Sequence, residues 1–369
     1  MFCQLEDCYK EECHHCFPVL ECSVGHEWCS ERGRFKEIFE PKKYMVTGCA
    51  GFIGSHVCES LLRMNYTVIG VDNMDSYYKV DLKKENIRIL CEYPNFHFIR
   101  DDIRTTTAVE EWKPSMIIHL ASLAGVRNSF DNPKSYIQVN IEGFVHILEE
   151  AVKNKVSRVV YASSSSVYGL NSLPFSECDA LNNCNSPYAC SKLAMESYAK
   201  MYHQTYGISC IGLRFFTVYG PRGRPDMVPY KFMNAIRKGE PIDKHGDGSS
   251  SRDYTFIDDI VVGILAALRS SIKIKCEIYN LGNSTPVTLN EFIETCEKVV
   301  GKKAIIQQKP DQLGDVPHTL ANIEKAFRDL NYSPQTKIAT GLVKYLDYLE
   351  SSQPEMDCAT SKKVLPTKE

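Results

Sequence analysis

One short turn constrains what this chain can fold into: Thr47-Gly48-Cys49-Ala50-Gly51-Phe52-Ile53-Gly54. Ahead of it, Tyr44-Met45-Val46-Thr47 is a brief apolar run entered from the charged Lys42-Lys43, as a buried strand would be. Behind it, Ile53, Val57, Leu61 and Leu62 recur at helical spacing, so the turn joins a strand to a helix. Glycines at 48, 51 and 54 let backbone approach a ligand closely, and the open N–H groups at the helix start favour a phosphate. A second strand, Thr67-Val68-Ile69-Gly70-Val71, ends in Asp72. That carboxylate stands about twenty residues past the turn, where a dinucleotide fold places the acid that holds the adenosine ribose. The spacing is G-x-x-G-x-x-G, one residue longer than the usual fingerprint. A tight turn with one helix-packing glycine is the plainer reading; the strand–turn–helix–strand context and Asp72 favour the dinucleotide site.

A chain of 369 residues has room for two domains, or for one large domain with an appended lobe. Its net charge of −3 and the absence of basic runs argue against a general nucleic-acid binder. No stretch approaches the roughly 20 apolar residues of a membrane span, and the first residues lack the succession of a signal peptide, so the expected location is cytoplasmic. Six of the sixteen cysteines fall within the first 29 residues. Residues 1–40 show no apolar periodicity; they read as a Cys-rich, disordered tail, with a zinc site around Cys13-x-x-Cys16 as the alternative. The remaining cysteines are scattered as small buried hydrophobes, and no disulfide framework is expected.

From Lys43 the pattern alternates strand and helix, which implies a parallel sheet covered on both faces. Further strands are expected at Asn95–Arg100, Met116–Ala121, Arg158–Ala162 and Ser209–Arg214, with helices near Val80–Cys91, Thr106–Trp112, Tyr136–Asn154 and Pro187–Tyr206; Ser122–Pro133 reads as a loop. Beyond Gly220, prolines and glycines punctuate shorter elements. The expected fold is α/β: a doubly wound parallel, Rossmann-like sheet over 43–218, rejoined by 257–282, with a smaller mixed substrate lobe from 219–256 and 283–350 and a loose tail over 351–369.

Ligands collect at the carboxyl ends of the strands in such folds. Tyr188 and Lys192 stand four apart, one turn from each other on one helix face. An unperturbed phenol, of pKa about 10, is a poor base at neutral pH. A nearby ammonium and the positive charge of an oxidised nicotinamide favour the phenolate, and serine hydroxyls across the site can pass the proton. Alone, this pair is more often a solvated helix face.

The set G-x-x-G-x-x-G, Tyr161-Ala162-Ser163-Ser164-Ser165-Ser166-Val167-Tyr168-Gly169 and Tyr188-Ala189-Cys190-Ser191-Lys192 resembles the extended short-chain dehydrogenase/reductases over about residues 43–350. Within them the chain looks most like nucleotide-sugar 4-epimerases, in particular those of UDP-glucuronate. The supporting stretches are Asp72-Asn73-Met74-Asp75-Ser76-Tyr77-Tyr78, Ala124-Gly125-Val126-Arg127, Arg214-Phe215-Phe216-Thr217-Val218-Tyr219-Gly220-Pro221 and Gly223-Arg224-Pro225-Asp226-Met227. The resemblance implies that Tyr188 takes the proton of the sugar 4-hydroxyl, that Lys192 binds the cofactor ribose and lowers the tyrosine pKa, and that Ser164 bridges Tyr188 and the substrate oxygen. It implies a bound NAD held by Gly48, Gly51, Phe52, Ile53, Gly54, Asp72, Asn73, Asp102, Ile103, Leu120 and Ala121 together with Tyr188 and Lys192. It places the UDP-sugar against Arg127, Ser165, Ser166, Thr217, Arg224, Met227, Arg252 and Asp315. It also implies a homodimer packed through helices near 105–130 or 136–154 and 187–206, and no metal.

In resembling dehydratases an Asp-Glu pair occupies the places of Ser165 and Ser166, and in resembling decarboxylases a glutamate occupies that of Ser166; the chain lacks these acids, and epimerisation is what remains. Gln312 stands where many such relatives have an arginine near the phosphates. Two rival readings are an epimerase of UDP-glucose or UDP-N-acetylglucosamine, and a non-catalytic NAD-binding protein of the same fold.

Overall fold

The computed structural model describes residues 42–271, 275–310 and 316–351. Seven parallel strands form its centre: β1 (Lys43–Thr47), β2 (Thr67–Val71), β3 (Phe96–Ile99), β4 (Met116–His119), β5 (Arg158–Ser164), β6 (Ser209–Phe215) and, later in the chain, β10 (Cys276–Leu281). They lie in the order β3-β2-β1-β4-β5-β6-β10, every neighbour parallel. The alternation of side chains explains why both faces are covered. Tyr44, Val46, Val68, Ile118, Val160 and Ala162 enter one apolar cluster, and Met45, Ile69, Val71, Ile117, Val159 and Tyr161 the other. On the first face pack α1 (Phe52–Arg63), α2 (Val80–Leu90) and α6 (Ile257–Arg269); on the second, α3 (Gly143–Lys153) and α4 (Pro187–Tyr206).

Strand order reverses between β1 and β4, which opens a crevice at their carboxyl ends. Gly48 lies there at φ +72°, and a Cβ on it would stand 2.7 Å from the Ala121 nitrogen. A Cβ on Gly54 would stand 2.1 Å from the Gly48 carbonyl oxygen, so this glycine lets α1 sit directly on the turn. Both positions require glycine for backbone packing, and the same packing brings Leu120 and Ala121 to the turn.

After β6 come β7 (Thr217–Tyr219), α5 (Val228–Lys238), β8 (Pro241–His245), β9 (Ser251–Phe256), β11 (Pro286–Thr288), α7 (Leu289–Val300), β12 (Ile305–Lys309), and the last helix, α8 (Ile338–Ser351). β11, β9 and β7 make a three-stranded sheet, and β8 pairs with β12. Their apolar residues, among them Phe232, Tyr254, Phe292, Leu342 and Tyr345, belong to the same cluster as β1 and α1. Buried Asp253 on β9 accepts from the backbone N–H groups of Asn283, Ser284 and Ala321, tying these segments to the end of β10. The final helix presses on the loop that follows β7. A Cβ on Gly223 would stand 2.6 Å from the Tyr345 hydroxyl, and one on Gly341 2.2 Å from that of Tyr219.

Two expectations need correction. The stretch read as a loop from Ser122 contains a short helix, Val126–Asp131, begun by Gly125 at φ +104°. The helix expected from Tyr136 begins at Pro133 and passes through a π-helical turn, Ile137–Glu142, before α3. The Cys-rich residues 1–40, and most of the C-terminal tail, lie outside the described residues.

Candidate active site

The four consecutive serines divide by strand alternation. Ser163, on β5, donates to Glu196 Oε1. Ser164, the next residue, donates to Ser166 Oγ at 3.1 Å and accepts from the Ser166 N–H, which caps the 3₁₀ turn Ser165–Tyr168. Across from it stands Tyr188, second residue of α4, whose start is fixed by the Ser186 hydroxyl accepting from the Ala189 N–H at 3.1 Å and by Pro187. Burial pushes the Tyr188 phenol above its ordinary value; the hydrogen-bonded Ser164 hydroxyl and the Arg224 guanidinium draw it back.

Lys192 is 1% exposed, and its Nζ donates to the Ala162 carbonyl at 2.8 Å, 5.9 Å from the Tyr188 ring centroid. Burial lowers its pKa to about 7. The groups that draw the Tyr188 phenol down are the Ser164 hydroxyl and the Arg224 guanidinium, while the Lys192 amine is anchored on the Ala162 carbonyl. Beneath Lys192, Glu196 receives Arg214 at Nε and Nη2, and Arg214 Nη1 donates to the Tyr168 hydroxyl. This buried, fully paired network fixes β5, β6 and α4 in mutual register.

Three loops meet around Tyr188. Arg224 pairs with Asp226 and lies 5.2 Å from the Tyr77 ring centroid; the Tyr77 hydroxyl is also in reach of Asp226 at 3.4 Å. Tyr136 stacks edge-on to Tyr188 at 6.1 Å and donates to the Ala124 and Gly125 carbonyls. Asn140, in the π turn, holds Leu123 through both backbone groups and donates to Ser191 Oγ at 2.9 Å. The sequence reading passed over Tyr77, Tyr136 and Asn140. The only signal for Tyr77 was its place in the Asp72–Tyr78 stretch; for Asn140 there was none, because its partners lie 17 and 51 residues away.

The loop after β7 is bound to α1 by His56 Nε2 with the Pro221 carbonyl at 2.9 Å and by Arg222 with Glu59 at 2.7 Å. Beside it a cavity of about 460 Å³ is lined by Arg127, Lys231, Tyr230, Phe232, Ile242 and His245, among others. Ser165, Ser166, Thr217 and Met227 are partly buried at the ends of β5 and β7 and at the start of α5. Arg252 lies apart from the tyrosine cluster in its contacts: it is on β9, donating to the Ser251 and Pro317 carbonyls. Asp315 and Gln312 lie outside the described residues.

At the crevice, no side chain caps the start of α1, where Phe52, Ile53 and Gly54 offer first-turn N–H groups. Asp72 accepts from the Ala50 and Met74 N–H groups at 3.1 and 2.8 Å and faces Lys83 at 3.5 Å, which leaves lone pairs for a ribose hydroxyl. Asn73 donates to Asp102, whose carboxylate is held at about 2 by a fork from Arg104. Ile103 is buried against Gly143. An uncapped helix start above a glycine turn, with an acid at the end of β2, fits a dinucleotide.

Fold and crevice together define a doubly wound, dinucleotide-dependent enzyme. The chain belongs to the NAD dependent epimerase/dehydratase family, whose pattern it matches over residues 44–282. It is 42% identical over 325 residues to UDP-glucuronate 4-epimerase 4 of Arabidopsis thaliana, covering 82% of this chain and 74% of that one. The crystal structure of UDP-glucuronic acid 4-epimerase from Bacillus cereus with UDP-glucuronic acid and NAD superposes with a TM-score of 0.81 at 36% identity, over 84% of this chain and 99% of that one. UDP-glucose 4-epimerase of Thermotoga maritima, solved with UDP-glucose, gives 0.78 at 30% identity over 84% and 99%.

Proposed function

We propose that this chain is an NAD-dependent UDP-sugar 4-epimerase that interconverts UDP-glucuronate and UDP-galacturonate through a 4-keto sugar. The observation that carries this reading is the juxtaposition of Tyr188 with Ser164 and Arg224 at the strand ends, joined to the glycine turn by the Tyr77–Tyr78 loop: Tyr78 lies 4.0 Å from the Gly51 Cβ position, and Tyr77 lies beside Arg224. The similarity to enzymes named for UDP-glucuronate supports the sugar.

When bound, NAD would supply reversible hydride chemistry at carbon 4 of the sugar. Gly48, Gly51, Phe52, Ile53, Gly54, Leu120 and Ala121 line its cradle, with Asp72, Asn73, Asp102 and Ile103 toward the adenosine end. Tyr188 takes the 4-hydroxyl proton while Ser164 holds that oxygen. Lys192, anchored on Ala162, is placed for a ribose hydroxyl and is in proton exchange near neutrality. Arg127 and Lys231 at the cavity wall suit the phosphates, and the rings of Tyr230 and His245 suit the base. Arg252 must turn from the Pro317 carbonyl to reach a phosphate, and Asp315 is proposed for the uridine ribose on the resemblance alone. The 4-keto form of glucuronate is a β-keto acid; neutral hydroxyls of Ser165, Ser166 and Thr217 hold its carboxylate without supplying an acid, which resists loss of carbon dioxide.

Ile137, Tyr198 and Met201 are exposed on the segments expected at a dimer interface and support a homodimer. Among the described residues no helix is long and apolar enough to cross a membrane; cytoplasmic location stands as a proposal that subcellular fractionation tests. The function is tested by incubation with UDP-glucuronate, UDP-glucose and UDP-N-acetylglucosamine, with products separated by configuration at carbon 4. UDP-galacturonate from glucuronate, without net NADH release, is expected. A pentose product, or turnover confined to the neutral sugars, sinks the assignment; binding without turnover favours a non-catalytic role.

A further inference from the structure

Among the described residues nine cysteines are free. Cys49, Cys58, Cys210 and Cys296 are buried and closed to solvent reagents. Cys184 and Cys190 are different, because they meet at the entrance of α4. Cys184 stands two residues ahead of the cap Ser186, and Cys190 is the fourth helical residue, the position against which a chain entering a helix ordinarily packs. The Cys184 sulfur is within hydrogen-bonding reach of Cys190 and donates to the Val167 carbonyl at 3.6 Å. Cys190 is exposed and Cys184 partly so. The pair therefore touches solvent on one side and, on the other, the turn that carries Ser165 and Ser166. Cys190 is two residues from both Tyr188 and Lys192 and on the opposite, solvent face of their helix.

We propose that Cys184 and Cys190 form a dithiol modification site that takes up a low-molecular-weight disulfide and closes into an intramolecular disulfide across the start of α4. The exposed Cys190 thiolate attacks one sulfur of the small disulfide, and one small thiolate leaves and picks up a proton. Cys184 then loses its proton to solvent and attacks the Cys190 sulfur, expelling the second small thiolate, which is protonated in turn. Two protein thiols become one disulfide, and one small disulfide is reduced to two small thiols. Burial and the neighbouring sulfur hold the Cys184 thiol up at about 11, so Cys184 is not the first attacker, and its closure onto Cys190 relies on proximity instead of a ready thiolate. Closure removes the S–H donated to Val167 and draws the segment before Ser186 against the helix, so the serine turn loses one of its supports.

The experiment treats the full chain with oxidised glutathione, blocks remaining thiols with iodoacetamide and maps the peptides by mass spectrometry. A Cys184–Cys190 linkage is expected in the native protein and in Cys178→Ser, and none in Cys184→Ser, where a glutathione adduct persists on Cys190. Dithiothreitol restores both thiols. Alkylation of both residues after treatment, a lasting adduct on Cys190 of the native protein, or pairing of Cys178 instead overturns the site. The second readout rests on the activity proposed above: turnover falls by up to about a hundredfold in the crosslinked protein, the scale of an ångström-sized displacement at a reacting group, and recovers on reduction. Undiminished turnover in fully crosslinked protein overturns the link to the serine turn. If no UDP-sugar is turned over at all, the peptide map alone still decides the crosslink.

Discussion

Tyr188 is held by its neighbours more than by its own sequence position. Its phenol lies between a hydroxyl that donates to the next serine turn and a guanidinium already shared with Asp226 and Tyr77. Tyr188→Phe keeps the ring in its edge-on contact with Tyr136 and deletes only the oxygen. Turnover should fall by about 10² to 10⁴, the usual worth of a positioned acid–base group, while NAD and UDP-sugar binding by calorimetry stay near the native values. Turnover within a factor of a few of native would remove Tyr188 from the chemistry. Spacing puts Tyr188 and Lys192 on one helix face, and the resemblance puts Ser164 with them; the structure brings Ser164 into hydrogen-bonding reach of Tyr188 and leaves Lys192 beneath its ring. What the spacing did not reveal is where the lysine ammonium goes: the Ala162 carbonyl that receives it belongs to another element, 30 residues earlier. Asp253 was equally silent, a buried acid whose three backbone donors come from two separate later segments.

At the scale of elements, the first six strands and their helices were readable because each buries both faces or one clear stripe, and apolar periodicity reports burial. Of the strands after β6 only β10 was readable; β7 and β11 have three residues each and β12 is largely exposed, leaving no period to count. The short helix at Val126–Asp131 and the π turn at Ile137–Glu142 escaped for related reasons: six residues fall below a countable pattern, and an inserted residue breaks the helical period where Asn140 must turn inward. The turn between β1 and α1 is the opposite case. Gly54→Ala sets a methyl 2.1 Å from a carbonyl oxygen of the Gly48 backbone, which has no flexible end to yield. We expect a stability loss of about 1–3 kcal/mol in urea denaturation and weaker NAD binding, because α1 has to lift off the turn. An unchanged affinity would show that the first turn of α1 does not hold the pyrophosphate.

For the molecule as a whole, stability is tied to pH through two buried imidazoles. His119, at the end of β4, exchanges a hydrogen bond with Thr47 on β1 at 2.9 Å, and burial lowers its pKa from 6.5 to about 3. His56, under the Pro221 loop, is lowered to about 4 by burial and by Arg222. Between these values and 6.5 the unfolded chain binds protons that the folded chain refuses. The stabilisation is whole above 6.5 and drains away as pH falls through that window, on the order of a few kcal/mol for each imidazole in full. Urea midpoints should drop between pH 6.5 and 4, and His119→Asn should flatten part of the slope; a flat native profile refutes the assignment. Assembly is tested at the same scale. Charging the exposed face with Met201→Asp and Tyr198→Asp should convert a dimer to a monomer in light scattering, whereas unaltered mass places the interface elsewhere.

The last helix carries a consequence for how such a protein changes its substrate. Gly223 and Gly341 leave no room between the loop bearing Arg224 and the helix bearing Tyr345. A loop borrowed from a relative with another preference would arrive without the surface it was shaped against, more than a hundred residues downstream. On the sugar-binding role proposed for the Arg224 loop, a graft of that loop without the last helix is expected to lose the packing that shapes it, so a change of sugar preference calls for both segments together.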